Sequence, residues 1–259
     1  MSVEPIKNDS LLLVDIGNTN MKWAWLVDGQ ISPVQSVPHS TGRFARIAAS
    51  CWGSAEQPVR VVLANVAGDE LERQLADWTQ HVWGLSPEVI VSSRKTLGVT
   101  NAYTDPSQLG VDRWLTLIAV HGLHPGPACI VDCGTAITVD VMDDGGSHLG
   151  GVILPGLDLM RHALLDKTRI PRVEKVDVDN MLATDTASAV ASASIHSAAA
   201  LVERVVGKSS QTLGVSPSLV LTGSDANILL DALDISGMVI PELVMTGLAL
   251  VATDGEYAA

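Results

Sequence analysis

Short apolar runs that end in small or acidic residues set the pattern of the first half of the chain. One run, 11–16, passes directly into Asp-Ile-Gly-Asn-Thr-Asn at 15–20. Apolar positions then alternate over 21–27 and stop at Asp28-Gly29, a hairpin signal. The pattern predicts a strand, a tight turn, a second strand and another turn.

Further strands and helices alternate along the next hundred residues. Buried strands are predicted at 59–66 and 88–92, and helices at 41–52 and 69–83. A further helix is predicted at 106–123. Strands that alternate with helices are typical of an α/β sheet.

The second half of the chain repeats the opening pattern. After the break at His124-Pro125-Gly126-Pro127, strand patterns are predicted at 128–131, 136–142 and 148–154, with Asp-Cys-Gly-Thr at 132–135 after the first. Each half therefore has a strand, an Asp-x-Gly turn, a second strand and an acidic-Gly turn. This similarity indicates an internal duplication, with domains at 1–124 and 125–259.

The remaining segments complete this second domain. An Ala- and Ser-rich stretch over 181–206 is predicted to be a long helix, and small residues along it would let another helix or subunit approach closely. A strand over 218–221 ends in Thr-Gly-Ser-Asp at 222–225. Closing helices are predicted at 227–233 and 242–252.

Composition and charge narrow the classes of function. Hydrophobic residues make up 47% and aromatic residues only 3%, so an aliphatic core is expected. The net charge of −13 disfavours nucleic acid and anionic lipid as partners. Charged residues within the long helix argue against a membrane span. A polar N-terminus without an apolar run indicates a cytoplasmic protein, and three cysteines without a C-x-x-C pair predict neither disulfides nor a zinc site.

The two Asp-x-Gly turns have the chemistry of a phosphate site. Glycine lets the main chain approach a ligand, and the N–H groups of such a turn can hold phosphate oxygens. Asp15 and Asp132 would repel phosphate, so they are expected to act through a cation or water. A simple hairpin explains either turn alone, but the matching second copy favours the functional interpretation.

Two other segments carry candidate functional residues. In Gly-Val-Asp-Arg-Trp at 110–114, Asp112 can accept a proton from a substrate hydroxyl and Arg113 can bind a carboxylate or phosphate. A helix-terminal carboxylate and a surface charge are the structural alternatives. The turn at 222–225 suits a nucleotide or simply a helix N-cap. Gly207-Lys208-Ser209 resembles the end of a phosphate-binding loop but lacks its earlier glycine.

Together these motifs resemble the type III pantothenate kinases of the actin, hexokinase and Hsp70 ATPase superfamily. The resemblance covers about residues 11–252 and rests on five segments in family order: DIGNTN at 15–20, YTDPSQLGVDRW at 103–114, DCGTAITVD at 132–140, GGVILPGL at 150–157 and TGSDA at 222–226. It implies an actin-like (ribonuclease H-like) α/β fold of two duplicated lobes with an inter-lobe cleft. The implied activity is ATP-dependent phosphorylation of pantothenate, the first step of coenzyme A synthesis.

The resemblance also implies roles for individual residues. Asp112 would be the general base, and the pantothenate contacts would come from Tyr103, Gly110, Val111, Asp112, Arg113 and Thr186. ATP would be contacted by Asp15, Ile16, Gly17, Asn18, Thr19, Asn20, Met21, Lys22 and Thr135. Mg²⁺ would be held through water by Asp15, and a monovalent cation, K⁺ or NH₄⁺, by Asp132. The family is dimeric, and Thr186 would reach the substrate of the partner subunit.

Two departures from the family pattern concern the ends of the site. Ser224 stands where the family usually has a second glycine, and Asp185 stands where an Asn usually precedes the substrate threonine. Two alternative functions remain: another small-molecule kinase of the superfamily, or a catalytically inactive pantothenate-kinase-like regulatory protein. The first should ignore pantothenate, and the second should bind ligands without turnover.

Overall fold

A computed structural model describes residues 10–39, 44–168 and 181–254 of the chain. Its strands are β1 (Leu11–Ile16), β2 (Asn20–Val27), β3 (Gln30–Ile31), β4 (Gln35–Pro38), β5 (Arg60–Asn65), β6 (Glu88–Val89), β7 (Lys95–Thr96), β8 (Val99–Thr100), β9 (Ala128–Cys133), β10 (Ala136–Met142), β11 (His148–Pro155), β12 (Ser218–Thr222) and β13 (Met238–Val239). Its helices are α1 (Phe44–Trp52), α2 (Asp69–Trp83), α3 (Val111–Leu123), α4 (Leu157–Leu165), α5 (Thr186–Leu213), α6 (Ala226–Asp231) and α7 (Leu243–Thr253), with a short 3₁₀ helix at Pro106–Gln108.

The first sheet is built on the hairpin that the opening pattern predicts. Its strand order is β3-β2-β1-β5-β6, and β4 also pairs with β2. β1 is antiparallel to β2 and parallel to β5. Asp28 and Gly29 both have positive φ, at 50° and 77°, as a two-residue hairpin turn of the primed type requires.

The second sheet has the same topology. Its order is β11-β10-β9-β12-β13, with β9 antiparallel to β10 and parallel to β12. Each strand therefore has a counterpart in the first sheet at the same position. The internal duplication indicated by the two Asp-x-Gly motifs is confirmed at the level of strand order.

The hydrophobic cores of the two sheets differ in composition. Around β9 and β10 the core is aliphatic, and α5 contributes Ile195, Ala198 and Val202 to it. Around β1 and β2 it contains an aromatic cluster in which Trp52 lies 5.6 Å from Trp78, centroid to centroid. The expected aliphatic core is therefore wrong for the first sheet, because the few aromatic residues gather there.

The helices follow amphipathic patterns and end where the sequence stops them. Leu71, Leu75 and Trp78 on one face of α2 are buried, and the helix ends at Gly84 with a left-handed φ of 69°.

The helix α5 is longer than the predicted 181–206 segment at its C-terminal end. It is long and apolar enough to cross a membrane by composition, but core helices pass the same test, and 44% of that apolar window is buried within the protein.

Contacts group the chain into two units, each made of separate segments. The first unit comprises the described residues within Met1–Leu97, Asp105–Ala119 and Val244–Ala259. The second comprises those within Gly98–Thr104 and Val120–Leu243. The C-terminal helix thus folds with the N-terminal sheet. The division into domains at 1–124 and 125–259 stays a prediction.

Candidate active site

The first Asp-x-Gly turn lies at the end of β1, as the sequence predicts. Asp15 is the next-to-last residue of that strand and pairs in register with Lys22. The Gly17 N–H donates to the carbonyl of Asn20 at 3.0 Å, which closes the turn. Asn18 and Thr19 are exposed at its tip.

Two of the predicted ATP-binding residues have side chains that face the core. Ile16 and Met21 are fully buried in the cluster around β1 and β2. Their side chains are therefore not placed to contact ATP. Asn20 is exposed, and Lys22 is partly buried within β2.

His39 contacts this turn from a distant position in the sequence, and the sequence did not predict the contact. Its Nε2 lies 2.6 Å from the carbonyl oxygen of Gly17, and its main-chain N–H donates to the carbonyl of Thr19 at 3.3 Å. His39 follows β4, so the strand pairing of β4 with β2 brings it to the turn. The contact holds the Gly17–Thr19 main chain from a distant point in the sequence.

The second turn has the same position in its sheet but is one residue tighter. Asp132 is the next-to-last residue of β9, and the Gly134 N–H donates to the carbonyl of Ala136 at 3.0 Å. Across the second turn Cys133 pairs with Ile137, which leaves residues 134–136 between the strands. Across the first turn Ile16 pairs with Met21, which leaves residues 17–20 between them. Thr135 accepts at its carbonyl from the Gly156 N–H at 2.9 Å.

Two glycines pack their main chains directly against this second turn. A Cβ on Gly223 would collide with the carbonyl of Cys133 and lie 2.7 Å from Oδ1 of Asp132. A Cβ on Gly156 would collide with the carbonyl oxygens of Gly134 and Thr135. Gly156 and Gly223 therefore serve close packing around the turn that contains Asp132.

Ser224 fits this arrangement. Its side chain is exposed, and its hydroxyl lies 3.5 Å from the Cys133 carbonyl, at the limit of a hydrogen bond. The neighbouring Asp225 N–H donates to the same carbonyl at 3.1 Å. The serine thus replaces the usual glycine without occupying the space that Gly223 leaves free.

Carboxylates concentrate beside the second turn. Burial raises the pKa of Asp225, the charge of Asp158 raises it further, and Arg161 and Ser224 oppose the rise. Burial also raises the pKa of the Cys133 thiol to about 12, with smaller contributions from Asp132 and Asp225. The sequence marked the turn at 222–225, which contains Asp225, as a nucleotide site or a helix N-cap, but it did not connect Asp225 or Asp158 with Asp132. The fold brings them here, Asp225 as the N-cap of α6 and Asp158 in the first turn of α4.

The oxygen ligands at this turn fit a hard cation that keeps part of its water shell. Carboxylate and carbonyl oxygens together with water are the ligands that hard cations take. Within residues 10–39, 44–168 and 181–254, no three His, Cys, Asp or Glu side chains gather closely enough to form a protein cage for a metal. Burial is the main cause of the raised pKa of Asp225, and the charge of Asp158 is a second cause, which a nearby cation would offset.

The segment 103–114 begins with a stacked tyrosine and ends in a helix N-terminus. The Tyr103 N–H donates to Oδ1 of Asn101 at 2.9 Å, and Asp105 caps the 3₁₀ helix by accepting from Ser107 N–H at 3.1 Å. Hydrogen bonds from Ser107 and Gln108, with the charge of Arg94, lower the pKa of Asp105. The predicted single helix at 106–123 is therefore split into a 3₁₀ turn and α3.

Asp112 lies in the first turn of α3, partly exposed. Its Oδ1 accepts from the Arg113 N–H at 2.7 Å, so the helix N-terminus favours its negative charge. A Cβ on Gly110 would lie 2.5 Å from that oxygen, so the glycine makes room for the carboxylate. A role at the helix terminus and a role as base are both compatible with this geometry.

Arg113 and Val111 are buried, with 4% and 7% of their surfaces exposed. The interpretation of Arg113 as a surface charge is therefore wrong. A buried guanidinium is stable only when it is paired with hydrogen-bond acceptors or negative charge. Trp114, the last residue of the motif, is fully buried and anchors the first turns of α3.

Thr186 is the first residue of α5, and it is exposed. Asp185 is the N-cap, and its Oδ1 accepts from the Ser188 N–H at 2.9 Å. Hydrogen bonds from Ser188 and Ala187 lower the pKa of Asp185. Asp and Asn cap helices about equally well, so this departure from the family pattern preserves the helix start.

The other sequence features have structural roles. Gly207-Lys208-Ser209 lies inside α5, so it is helix and not a phosphate loop. The thiols of Cys51, Cys129 and Cys133 are free, as expected.

Two sheets of one topology, each opening on an Asp-x-Gly hairpin, define an actin-like α/β protein. Solved structures agree: ethanolamine utilization protein EutJ from Carboxydothermus hydrogenoformans matches with a TM-score of 0.57 and 14% identity over 96% of this chain and 92% of its own. Component A of (R)-2-hydroxyglutaryl-CoA dehydratase from Acidaminococcus fermentans matches with a TM-score of 0.51 and 13% identity over 93% and 95%. These similarities show the fold alone.

The sequence comparisons identify the family within this fold. The type III pantothenate kinase family model matches residues 11–208. A type III pantothenate kinase from Nitrosococcus oceani is 38% identical over 250 residues, which cover 94% of both chains. The chain belongs to the type III pantothenate kinase family.

Proposed function

We propose that this chain transfers the γ-phosphoryl group of ATP to the primary hydroxyl of pantothenate, giving 4′-phosphopantothenate and ADP in the first step of coenzyme A biosynthesis. Family membership supports this reaction, with relatives that carry the name over nearly the full chain. The structural observation that carries it is the pair of Asp-x-Gly hairpins at equivalent positions of two equivalent sheets. No feature favours the alternative kinase or the inactive regulator.

Asp112 is the general base of the proposed reaction. Its carboxylate takes the proton of the pantothenate hydroxyl as that oxygen bonds to the γ-phosphorus. The bond from phosphorus to the β,γ-bridging oxygen breaks, and ADP leaves with that electron pair. A base in such a role usually contributes about 10²–10⁴-fold in rate.

Main-chain N–H groups and cations neutralise the phosphate charge. The turn residues 17–19 and Thr135 contact the ATP phosphates, and Asp15 would hold Mg²⁺ through water. Asp132 would hold a monovalent cation, K⁺ or NH₄⁺, in a turn near which Asp158 and Asp225 lie. Held there, the cations would supply positive charge beside the phosphates, which matters because phosphoryl transfer depends on alignment and charge neutralisation.

The substrate side is built from Tyr103, the segment 110–113 and Thr186. Arg113 binds the pantothenate carboxylate in this proposal, and Thr186 reaches pantothenate in the partner of a homodimer. The exposed position of Thr186 at the start of α5 is compatible with that contact. The enzyme acts in the cytoplasm, without nucleic acid or membrane partners.

ADP release from purified protein with ATP and Mg²⁺ tests the reaction. Turnover should require pantothenate, be faster in K⁺ than in Na⁺ buffer, and fall about 10²–10⁴-fold in Asp112→Asn. The variant Asp144→Asn, an exposed turn carboxylate, controls for the loss of one charge. ATP binding without pantothenate-dependent turnover in either buffer would exclude the proposed substrate.

Equal activity of Asp112→Asn and the wild type would remove Asp112 as the base and leave the substrate assignment intact. Turnover that is the same in K⁺ and Na⁺ would remove the monovalent cation from the proposal.

A further inference from the structure

A buried ionisable pair lies in the second sheet, on the face away from its aliphatic core. Asp140, in the middle of β10, has its Oδ1 2.8 Å from Nε2 of His148, the first residue of β11. The two residues are 1% and 3% exposed. The neighbours Val139 and Val141 belong to the core, so Asp140 points to the opposite face of the strand.

The imidazole of His148 stacks on the ring of Tyr103. The ring centroids are 6.1 Å apart and the planes differ by 17°, an offset stack. The bond from Nε2 to Asp140 restricts rotation of the imidazole, so the face it presents to Tyr103 is fixed. The Tyr103 ring is thus held against an imidazole that is itself hydrogen-bonded to β10.

The main chain of Tyr103 is held by a second set of contacts. Its N–H donates to Asn101, whose side chain is buried, and the Thr100 N–H donates to the Gly146 carbonyl at 2.9 Å. The segment Gly98–Thr104 therefore folds against the turn that precedes β11, within the second unit. Tyr103 is fixed at its main chain by Asn101 and at its ring by His148.

Packing alone does not account for a histidine at position 148. Its Nδ1 is buried and has no hydrogen-bond partner in the described part of the chain. A buried unpartnered nitrogen and a buried carboxylate both destabilise a fold relative to apolar groups of the same shape. A pair of apolar side chains would fill this space at lower free energy, but it would lose an oriented aromatic face under Tyr103.

We infer that His148, oriented by Asp140, is a positioning residue that fixes the Tyr103 ring for binding pantothenate. The inference rests on the proposed function, in which Tyr103 contacts pantothenate. It assigns the buried pair a role in substrate affinity, and none in the transfer of the phosphoryl group.

Two double variants separate the stacked face from the buried pair. Asp140→Leu/His148→Leu removes both the polar groups and the aromatic face, while Asp140→Leu/His148→Phe keeps a flat ring under Tyr103. Both variants fill the space and leave no unpaired carboxylate. In the Leu/Leu variant, KM for pantothenate should rise roughly 2- to 10-fold, the range of an aromatic pair, with kcat and KM for ATP nearly unchanged.

The Leu/Phe variant should recover part of that loss, because it restores the stack without the bond that orients it. Val139→Ala is the matched control, since it creates a cavity on the other face of the same strand. It should lower the melting temperature and leave KM for pantothenate unchanged.

Wild-type KM for pantothenate in the Leu/Leu variant would overturn the inference, as would equal increases in KM for pantothenate and ATP. Equal KM values in the two double variants would overturn the role of the stacked ring. Failure of the proposed function has a different signature, because the wild-type protein would then show no turnover that depends on pantothenate.

Discussion

Because Gly110 has no side chain, it leaves space for the carboxylate of Asp112, two residues further along the chain. Its φ lies outside the left-handed region, so alanine is conformationally allowed there. The added methyl would instead push against Oδ1 of Asp112 and displace it. We predict that Gly110→Ala lowers kcat by about tenfold or more, with an upper limit set by the roughly 10²–10⁴-fold that a general base supplies.

Steady-state kinetics and thermal unfolding of the same preparation check this prediction. Gly207→Ala, in α5, is the control because a Cβ there meets no atom within 4 Å. It should stabilise the helix by up to about 1 kcal/mol and leave kcat unchanged. Full activity of Gly110→Ala would show that the Asp112 carboxylate has no fixed position in the reaction.

We expect the half-buried Asp225 carboxylate to destabilise the fold at neutral pH. Because burial and Asp158 raise its pKa in the folded chain, the protonated form favours folding below the unfolded pKa. That stability is lost as pH rises through the raised value. We predict that Asp225→Asn unfolds at a higher temperature than the wild type at pH 7, in buffer without Mg²⁺ or K⁺.

The difference should shrink as pH falls from 7 toward about 4, the ordinary pKa of an aspartyl carboxyl in an unfolded chain, because the folded wild type takes up its proton before that point is reached. Thermal unfolding across that range measures it, and Asp231→Asn, an exposed carboxylate in α6, controls for net charge. A pH-independent difference would mean that the amide stabilises the fold for a reason other than charge.

The sequence predicted those parts of the candidate site that a local motif determines. Asp15 and Asp132 each lie next to last in a strand, two residues before glycine, and that motif alone placed them in equivalent turns. His39 and Asp158 reach the two turns through pairing and packing of distant segments, so no local pattern signalled them. The turn that contains Asp225 was recognised, but its packing against the second Asp-x-Gly turn depends on the fold. The spacing of Gly110 and Asp112 was visible, but the contact between them depends on the side-chain geometry at the start of α3.

At the scale of elements, one arginine joins two strands and a helix. Arg60 in β5 donates through Nε and Nη2 to Glu88 in β6, at 2.7 and 2.6 Å, and through Nη1 to the carbonyl of Ala252 near the end of α7, at 3.0 Å. The hydrogen bond to Glu88 is the largest cause of the raised pKa of Arg60. The side chain thus satisfies a terminal helix carbonyl that α7 itself leaves open.

We predict that Arg60→Met lowers the free energy of unfolding by about 1 kcal/mol, after allowance for solvent screening of a partly exposed pair. Hydrogen exchange should rise mainly in the last turn of α7. Denaturant unfolding and exchange mass spectrometry measure the two effects. Arg73→Met, which breaks only exposed ion pairs on α2, should change neither; exchange confined to β5 would show that the arginine does not hold α7.

Element boundaries were predictable where capping and turn residues are local. Asp28-Gly29 ended its strand as expected, and α2 covers the predicted residues 69–83, with Gly84 as its C-cap. The prediction of one helix over 106–123 was wrong, because Asp105 and Pro106 start a separate 3₁₀ turn before Gly110. The aromatic cluster was also missed, since composition counts aromatic residues without showing that Trp23, Trp52, Trp78 and Trp83 converge.

At the scale of the whole molecule, duplication determines the architecture. The two sheets share strand order and the sense of each pairing around their central strands. What differs is local: a turn one residue tighter in the second sheet, and an aliphatic core where the first has tryptophans. The repeat therefore predicts the fold, and the differences between its copies give each Asp-x-Gly turn its own surroundings.

The return of α7 to the first unit has a consequence for biosynthesis. Gly247 lies so close to the main chain at Leu115 that a Cβ would collide with it, and both residues belong to that unit. Residues 120–243 are made between these two partners, and ribosomes add about 5–20 residues per second. During synthesis, the N-terminal sheet therefore waits roughly 6–25 seconds for its last helix. Chaperones and the rate of translation can act on the incomplete unit in that interval, because its first residues are made first and its last helix is made last.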